Sequence, residues 1–279
     1  MAKTAPLLML LGVLGCDPNV VDAVRDPPPM PVPTTSSSAE PPPASVSPLE
    51  ISLIHRYSFD GDGTKVRDSK GAAPGEVMGA TLSGAGHVTL AGEPSGQYVN
   101  LPDDLVSGLG DATFEVWLTW DGGDPWQRIF DFGNSSGGED AQGRTGTSYL
   151  FLATVSTPDE GRMLSSSVLR LAYSQKGVGD EDVCNGPAPL PSGVLTHVAV
   201  VIERASKTMS LYQDGVLLNA CFLDRPLSAI DDVNNWLGRS NYVADADFSG
   251  TYEEFRIYGA ALTASEIADS FAAGPDAGL

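Results

Sequence analysis

The chain has 279 residues, with 36 Asp or Glu against 16 Lys or Arg, giving a formal net charge of −20. Nucleic-acid binding rests on clustered Lys and Arg that release counterions, and adsorption to anionic lipid needs a basic surface, so this balance speaks against both. Thirty-one glycines and 21 prolines point to many turns and few long helices.

At the N-terminus, Lys3, an apolar run over 7–14 and Gly15-Cys16 form the pattern of a secretion signal. A permanent spanning helix takes about 20 apolar residues, more than this run offers. Gly15-Cys16 resembles the lipobox of bacterial lipoproteins, which implies cleavage before Cys16 and acylation of its thiol. The alternative is a plain secretory signal with an incidental cysteine. On the lipobox reading the protein sits in the bacterial cell envelope, held to a membrane by the lipid on Cys16. Asp17 retains lipoproteins in the inner membrane in some bacteria, but outer membrane or cell surface is set ahead of it. Residues 17–49 hold ten prolines. Such a segment buries too little apolar surface to fold, and as polyproline II its length spans on the order of 100 Å. It reads as a disordered spacer.

From Glu50 onward, about 230 residues suit one all-β domain. Strands are expected over 53–59, 97–101, 113–120, 128–133, 148–155 and 168–174, then over 195–203, 208–213, 216–222, 236–238 and 250–258. Phe114, Val116, Leu118 and Trp120 alternate with Thr113, Glu115, Trp117 and Thr119, the period of two of a strand. Asp214-Gly215 suits a type I′ hairpin turn. Thr263-Ala264-Ser265-Glu266 is a capping box, so a helix of roughly ten residues should follow and end at Gly274, with Ile267 and Phe271 docking it. The forecast is two antiparallel sheets packed as a sandwich with one short C-terminal helix.

Three cysteines occur, Cys16, Cys184 and Cys221. With Cys16 acylated, the other two form an even pair in an oxidising compartment, and a bridge between them contributes roughly 4 kcal/mol. Two free buried thiols are the alternative. Cys184 lies in a polar Gly/Pro-rich stretch where burial is not expected.

Several motifs occur in the order of a known family. They are Leu53-Ile54-His55-Arg56-Tyr57-Ser58-Phe59-Asp60, Tyr98-Val99-Asn100-Leu101-Pro102, Phe114-Glu115-Val116-Trp117 and Thr196-His197-Val198-Ala199-Val200-Val201. Leu211-Tyr212-Gln213-Asp214-Gly215, Trp236-Leu237-Gly238-Arg239-Ser240 and Phe248-Ser249-Gly250-Thr251-Tyr252-Glu253-Glu254-Phe255 follow. Together they resemble laminin-G-like, concanavalin-A-like jelly-roll domains. The resemblance implies a jelly roll over 50–279 that binds glycans or proteins and often carries structural Ca²⁺. Carried over, the Ca²⁺ ligands are Asp60, Asp68 and Glu253. The apolar spacing of Tyr252, Phe255 and Ile257 adds a β-bulge near Glu253, which would re-aim a carboxylate.

The same sandwich hosts glycoside hydrolases, which need two carboxylates on one face. No such pair stands out: Glu115 is the lone acid of its strand, and Asp180-Glu181-Asp182 has no apolar frame. No Gly-x-Ser-x-Gly or zinc spacing occurs, and His197, in an apolar strand, reads as a hydrogen-bonded core residue. No catalytic residue is assigned. The leading expectation is a non-catalytic glycan- or extracellular-protein-binding module, with a hydrolase or a structural envelope protein as alternatives. Sugar sites combine stacking aromatics with amides and carboxylates, which singles out Trp126, Asn241, Tyr242 and Asp245. For Trp126 a loop anchor folded back on the core is the favoured alternative.

Overall fold

The computed structural model describes residues 47–158 and 165–276. The expected signal sequence, Cys16 and the proline-rich segment up to residue 46 lie outside the described residues. Helix α1 (Pro48–Ser52) is capped by the Ser47 side chain and has proline in its first turn. It begins inside the stretch read from sequence as spacer, because Leu49 is buried.

The early strands are short: β1 (Leu53–Tyr57), β2 (Asp62–Gly63), β3 (Lys65–Val66), β4 (Gly75–Met78), β5 (Leu82–Ser83), β6 (Val88–Ala91) and β7 (Tyr98–Leu101). Then come β8 (Ala112–Trp120), β9 (Arg128–Ser135), β10 (Gly146–Ala153), β11 (Arg170–Ser174), β12 (Asp182–Asn185) and β13 (Leu195–Glu203). The chain continues through β14 (Thr208–Gln213), β15 (Val216–Phe222), β16 (Asn234–Leu237) and β17 (Ser249–Tyr258) to helix α2 (Ala264–Ala273). All eleven expected strands are present within a few residues of the expected ends. Strands β2 to β6 and β12 were not anticipated, since runs of two to four residues carry too little alternation to read.

One sheet runs β1-β17-β8-β13-β14-β15, with β6 also on β17, and the other runs β12-β11-β10-β9-β16-β7-β4-β3. Every pairing within these sheets is antiparallel. Their inner faces make one core, in which Phe114 of β8 meets Phe130 and Phe132 of β9 at ring separations of 5.7 and 5.6 Å. Asp214 and Gly215 both adopt positive φ, as the type I′ turn requires.

The outer face of the β1-to-β15 sheet is also buried. Leu49, Leu53, Ala199, Val201, Tyr212, Tyr258, Leu262 and Ile267 form a second apolar layer there, beneath α1 and α2. Within it the Glu115 carboxylate accepts from Tyr258 Oη and Ser270 Oγ, each at 2.9 Å, and lies 2.8 Å from His197 Nε2. His197 is therefore the hydrogen-bonded core residue expected from sequence. The Arg256 guanidinium stacks 4.5 Å from the Trp117 ring and pairs with Glu254. Helix α2 has its capping box and closes at Gly274, whose φ is 83°. Ile267 docks it, but Phe271 remains 40% exposed, so one of the two expected anchors is only partly seated.

Cys184 and Cys221 form a disulfide with Cα atoms 5.5 Å apart. It joins β12 to β15, the end strands of the two sheets. The expectation that Cys184 lies in an exposed loop is corrected. The residue is fully buried, because β12 folds back on β11 with Cys184 opposite core residue Leu171.

Candidate functional site

The outer face of the second sheet carries a patch of its own. On β10, Leu150 and Leu152 point into the core, so alternation sends Tyr149, Phe151 and Ala153 to the opposite side. Trp126 and Tyr242 pack against them from two loops. Trp126 lies in the β8–β9 loop, where its N–H donates to Val155 O at 2.8 Å. Tyr242 lies in the β16–β17 loop, its ring 5.9 Å from that of Tyr149 and nearly edge-on. Between them opens a cleft of about 180 Å³ lined by Trp126, Arg128, Phe151, Arg170, Val178, Glu181, Tyr242 and Asp245.

Polar groups in the cleft are tied in two sets. Arg128 lies 3.9 Å from the Phe151 ring centre and donates with all three nitrogens: to Asp131 Oδ2 (3.2 Å), Trp126 O (2.9 Å) and Asp245 Oδ2 (2.7 Å). Arg170 donates from Nη2 to Glu181 Oε2 at 2.7 Å and stands 5.6 Å from the Trp126 ring centre. Its Nε and Nη1 are buried and meet no acceptor among the described residues. Tyr242 Oη donates to Tyr149 Oη at 3.0 Å, which donates to Glu181 Oε1 at 2.7 Å. Burial and the adjacent Glu181 push the Tyr149 phenol well above its ordinary value, so it stays a neutral donor. Burial also raises Tyr242.

Asn241 does not line the cleft. Its Nδ2 and backbone N–H donate to the two oxygens of buried Asp131, at 2.9 and 3.0 Å, and its Oδ1 accepts from Asn234 at 3.0 Å. Burial raises Asp131 while Arg128 and these Asn241 bonds oppose it. Asn241 thus holds the loop that carries Tyr242 and Asp245. The stretch 134–147 braces the same loop, with Gly143 N donating to Asn241 O and Val243 N to Gly143 O.

Of the four residues expected to bind ligand, three meet in one cleft: Trp126, Tyr242 and Asp245. Trp126 is packed on the sheet's outer patch, not on the core. Sequence reading missed Arg128, Phe151 and Arg170 and set Glu181 aside as a loop acid. The signal for Arg170 was a charge interrupting the apolar run Val168-Leu169-Arg170-Leu171-Ala172. Pairing with Glu181 makes that burial tolerable.

The expected metal ligands are not brought together. Among the described residues no three His, Cys, Asp or Glu side chains group to hold a metal. Asp68 turns inward, accepting from the N–H of Arg56, Lys70, Gly71 and Ala73 and lying 2.7 Å from His55 Nδ1. A carboxylate offers about four lone-pair sites, so Asp68 has none left for a cation. Burial would raise its pKa, but His55 and the backbone N–H groups of Gly71, Arg56 and Ala73 outweigh that and hold it below the usual carboxylate range. Asp60 is exposed and Glu253 half-buried. The expected bulge does fall at Glu253, between the Tyr252–Leu118 and Glu254–Trp117 pairs. It is Glu254 that turns inward, to Arg56 and Arg256. The trio Asp60, Asp68 and Glu253 does not fit Ca²⁺.

Residues 92–268 match the concanavalin A-like lectin/glucanases superfamily. The chain belongs to this superfamily. Similar solved structures include domain 4 of an extracellular arabinanase from Geobacillus stearothermophilus, in complex with arabinotriose. It is 21% identical with a TM-score of 0.53, covering 78% of this chain and 97% of that one. A Trypanosoma rangeli sialidase in complex with sialic acid is 17% identical with a TM-score of 0.58, covering 80% of this chain. A leech intramolecular trans-sialidase is 19% identical over 67% of this chain, with a TM-score of 0.51. The chain spans 33% of the Trypanosoma sialidase and 27% of the leech enzyme. At these identities the likeness shows the fold. No curated protein matches the sequence. Among the described residues no helix is long and apolar enough to cross a membrane.

Proposed function

We propose that this jelly roll is a non-catalytic glycan-binding module of the bacterial envelope, tethered through an acylated Cys16 and a proline-rich spacer, with the cleft between Trp126 and Tyr242 as its sugar site. The observation that carries the reading is the convergence of Trp126, Tyr242, Arg170 and Asp245 from four separate chain segments onto one open cleft. Aromatic faces supply apolar contact for a sugar ring, and the charged groups supply donors and acceptors for its hydroxyls. The arabinanase domain that shares the fold was seen with arabinotriose, which supports a sugar as the ligand class.

The two acids that line the cleft, Asp245 and Glu181, are both engaged by arginines, which favours a binding role for them over acid–base work. A glycan array with the intact chain tests the reading. The protein should bind at least one glycan class and release no reducing sugar from it, and Trp126→Ala should abolish the binding. Glycan turnover, or binding unchanged in that variant, would overturn it. Mass spectrometry of the mature N-terminus tests the tether: an unmodified Cys16 would remove it.

A further inference from the structure

We propose that the cleft takes an uncharged sugar, and that Arg170, through Nε and Nη1, is the donor that reads the sugar's hydroxyl oxygens. This rests on the glycan-binding reading and goes further by naming the charge class of the ligand and the residue that selects it.

Two observations carry it. First, the two guanidiniums of the cleft are unequal. Arg128 has a partner for every nitrogen: Asp131, the Trp126 carbonyl and Asp245. Arg170 has one among the described residues, Glu181, and leaves Nε and Nη1 buried without an acceptor there. A buried donor left unpaired costs about 1–3 kcal/mol, more when charged, and a ligand oxygen that accepts from it recovers that cost. Arg170 also stands over the Trp126 ring, so an oxygen that meets it belongs to a molecule lying against that indole.

Second, the charge of the cleft is already countered. Asp131, Asp245 and Glu181 are bonded to the two arginines, so among the described residues three carboxylates answer two guanidiniums. The whole chain carries −20 besides. The carboxylate of an acidic sugar would enter beside Asp245 and Glu181, where among the described residues two guanidiniums already face three carboxylates, and like charges in a partly dry site repel strongly. A hydroxyl suits this lining better. Its oxygen accepts from Arg170, and its proton is offered to Asp245.

Isothermal titration of the full chain tests this with two probe sets. The uncharged set is arabinotriose, xylotriose and cellotriose; the acidic set is 3′-sialyllactose and trigalacturonate. The expected result is binding within the uncharged set, little changed from about 50 to about 500 mM salt, since no net ligand charge is screened. Arg170→Lys, which keeps the charge but loses the Nε and Nη1 donors, should weaken binding about tenfold. Tighter binding of an acidic probe, lost in Trp126→Ala, would overturn the uncharged-ligand inference and leave the sugar site standing. Uncharged binding that is unaltered in a folded Arg170→Lys variant would overturn the role of Arg170. If that variant fails to fold, the probe comparison and salt series on the unaltered chain still decide the ligand's charge class. If neither set binds, the glycan-binding reading falls together with this one.

Discussion

Replacing Cys184 and Cys221 together by alanine should cost the domain about 4 kcal/mol. The bridge closes a separation of 37 residues. In the chain-entropy relation, removing a cross-link over that length restores roughly 13 cal/mol/K to the unfolded chain, or about 4 kcal/mol at 25 °C. The double variant is the cleaner perturbation, because Cys184 is fully buried and a single replacement would leave a reactive thiol at Cys221. For a domain of this size, about 4 kcal/mol is a fall in Tm of roughly 8–16 °C. Urea unfolding followed by tryptophan fluorescence, with and without reductant, reads the change. Reductant should destabilise the parent by a similar amount and leave the double variant unchanged. A stability difference below about 1 kcal/mol would refute the reasoning, because it would mean that the end strands are held as firmly without the link.

Asn241→Ala removes the bond to Asp131 and the one to Asn234. With one of them charged, it should lower stability by about 2–4 kcal/mol in urea unfolding, and it should weaken sugar binding although Asn241 does not line the cleft. Asp68→Asn should cost about 1.5–3 kcal/mol at neutral pH, since the carboxylate serves four backbone donors and His55. Because the folded pKa of Asp68 lies below its unfolded value, its contribution is complete above about pH 4 to 5 and is lost as pH falls through the folded pKa. Urea midpoints of parent and variant should therefore converge in acid, and a gap that stays constant down to pH 2 would contradict the assignment.

The long strands and helix α2 were legible because they carry their own signals. Phe114 to Trp120 alternate, Asp214-Gly215 specifies its turn, and Thr263 with Glu266 marks a helix start. Those signals are local, so they survive without knowledge of neighbours. Strand β12 was illegible for the opposite reason. Its four residues are a strand only because Cys184 pairs across from Leu171 and binds Cys221. In the cleft, Trp126, Tyr242 and Asp245 were readable as exposed-loop chemistry. Arg170 and Phe151 sit inside strands, where alternation alone does not say whether the outer face meets solvent, a helix or a ligand. The three expected metal ligands are dispersed for the same reason. Asp68 has the residue type of a ligand, but its lone pairs are taken by backbone groups up to twelve residues away.

Helix α1 gives the sandwich a front and a back. The chain reaches residue 47 on the side where Leu49 and Leu53 pack beneath α1 and α2. Trp126 and Tyr242 stand on the other side, against the outer face of the second sheet. The cleft and the α1–α2 layer therefore occupy opposite faces of the sandwich, each backed by its own sheet. A change in α2 can loosen the layer around Glu115 without touching a group that lines the cleft, so stability and ligand contact are separable in this domain.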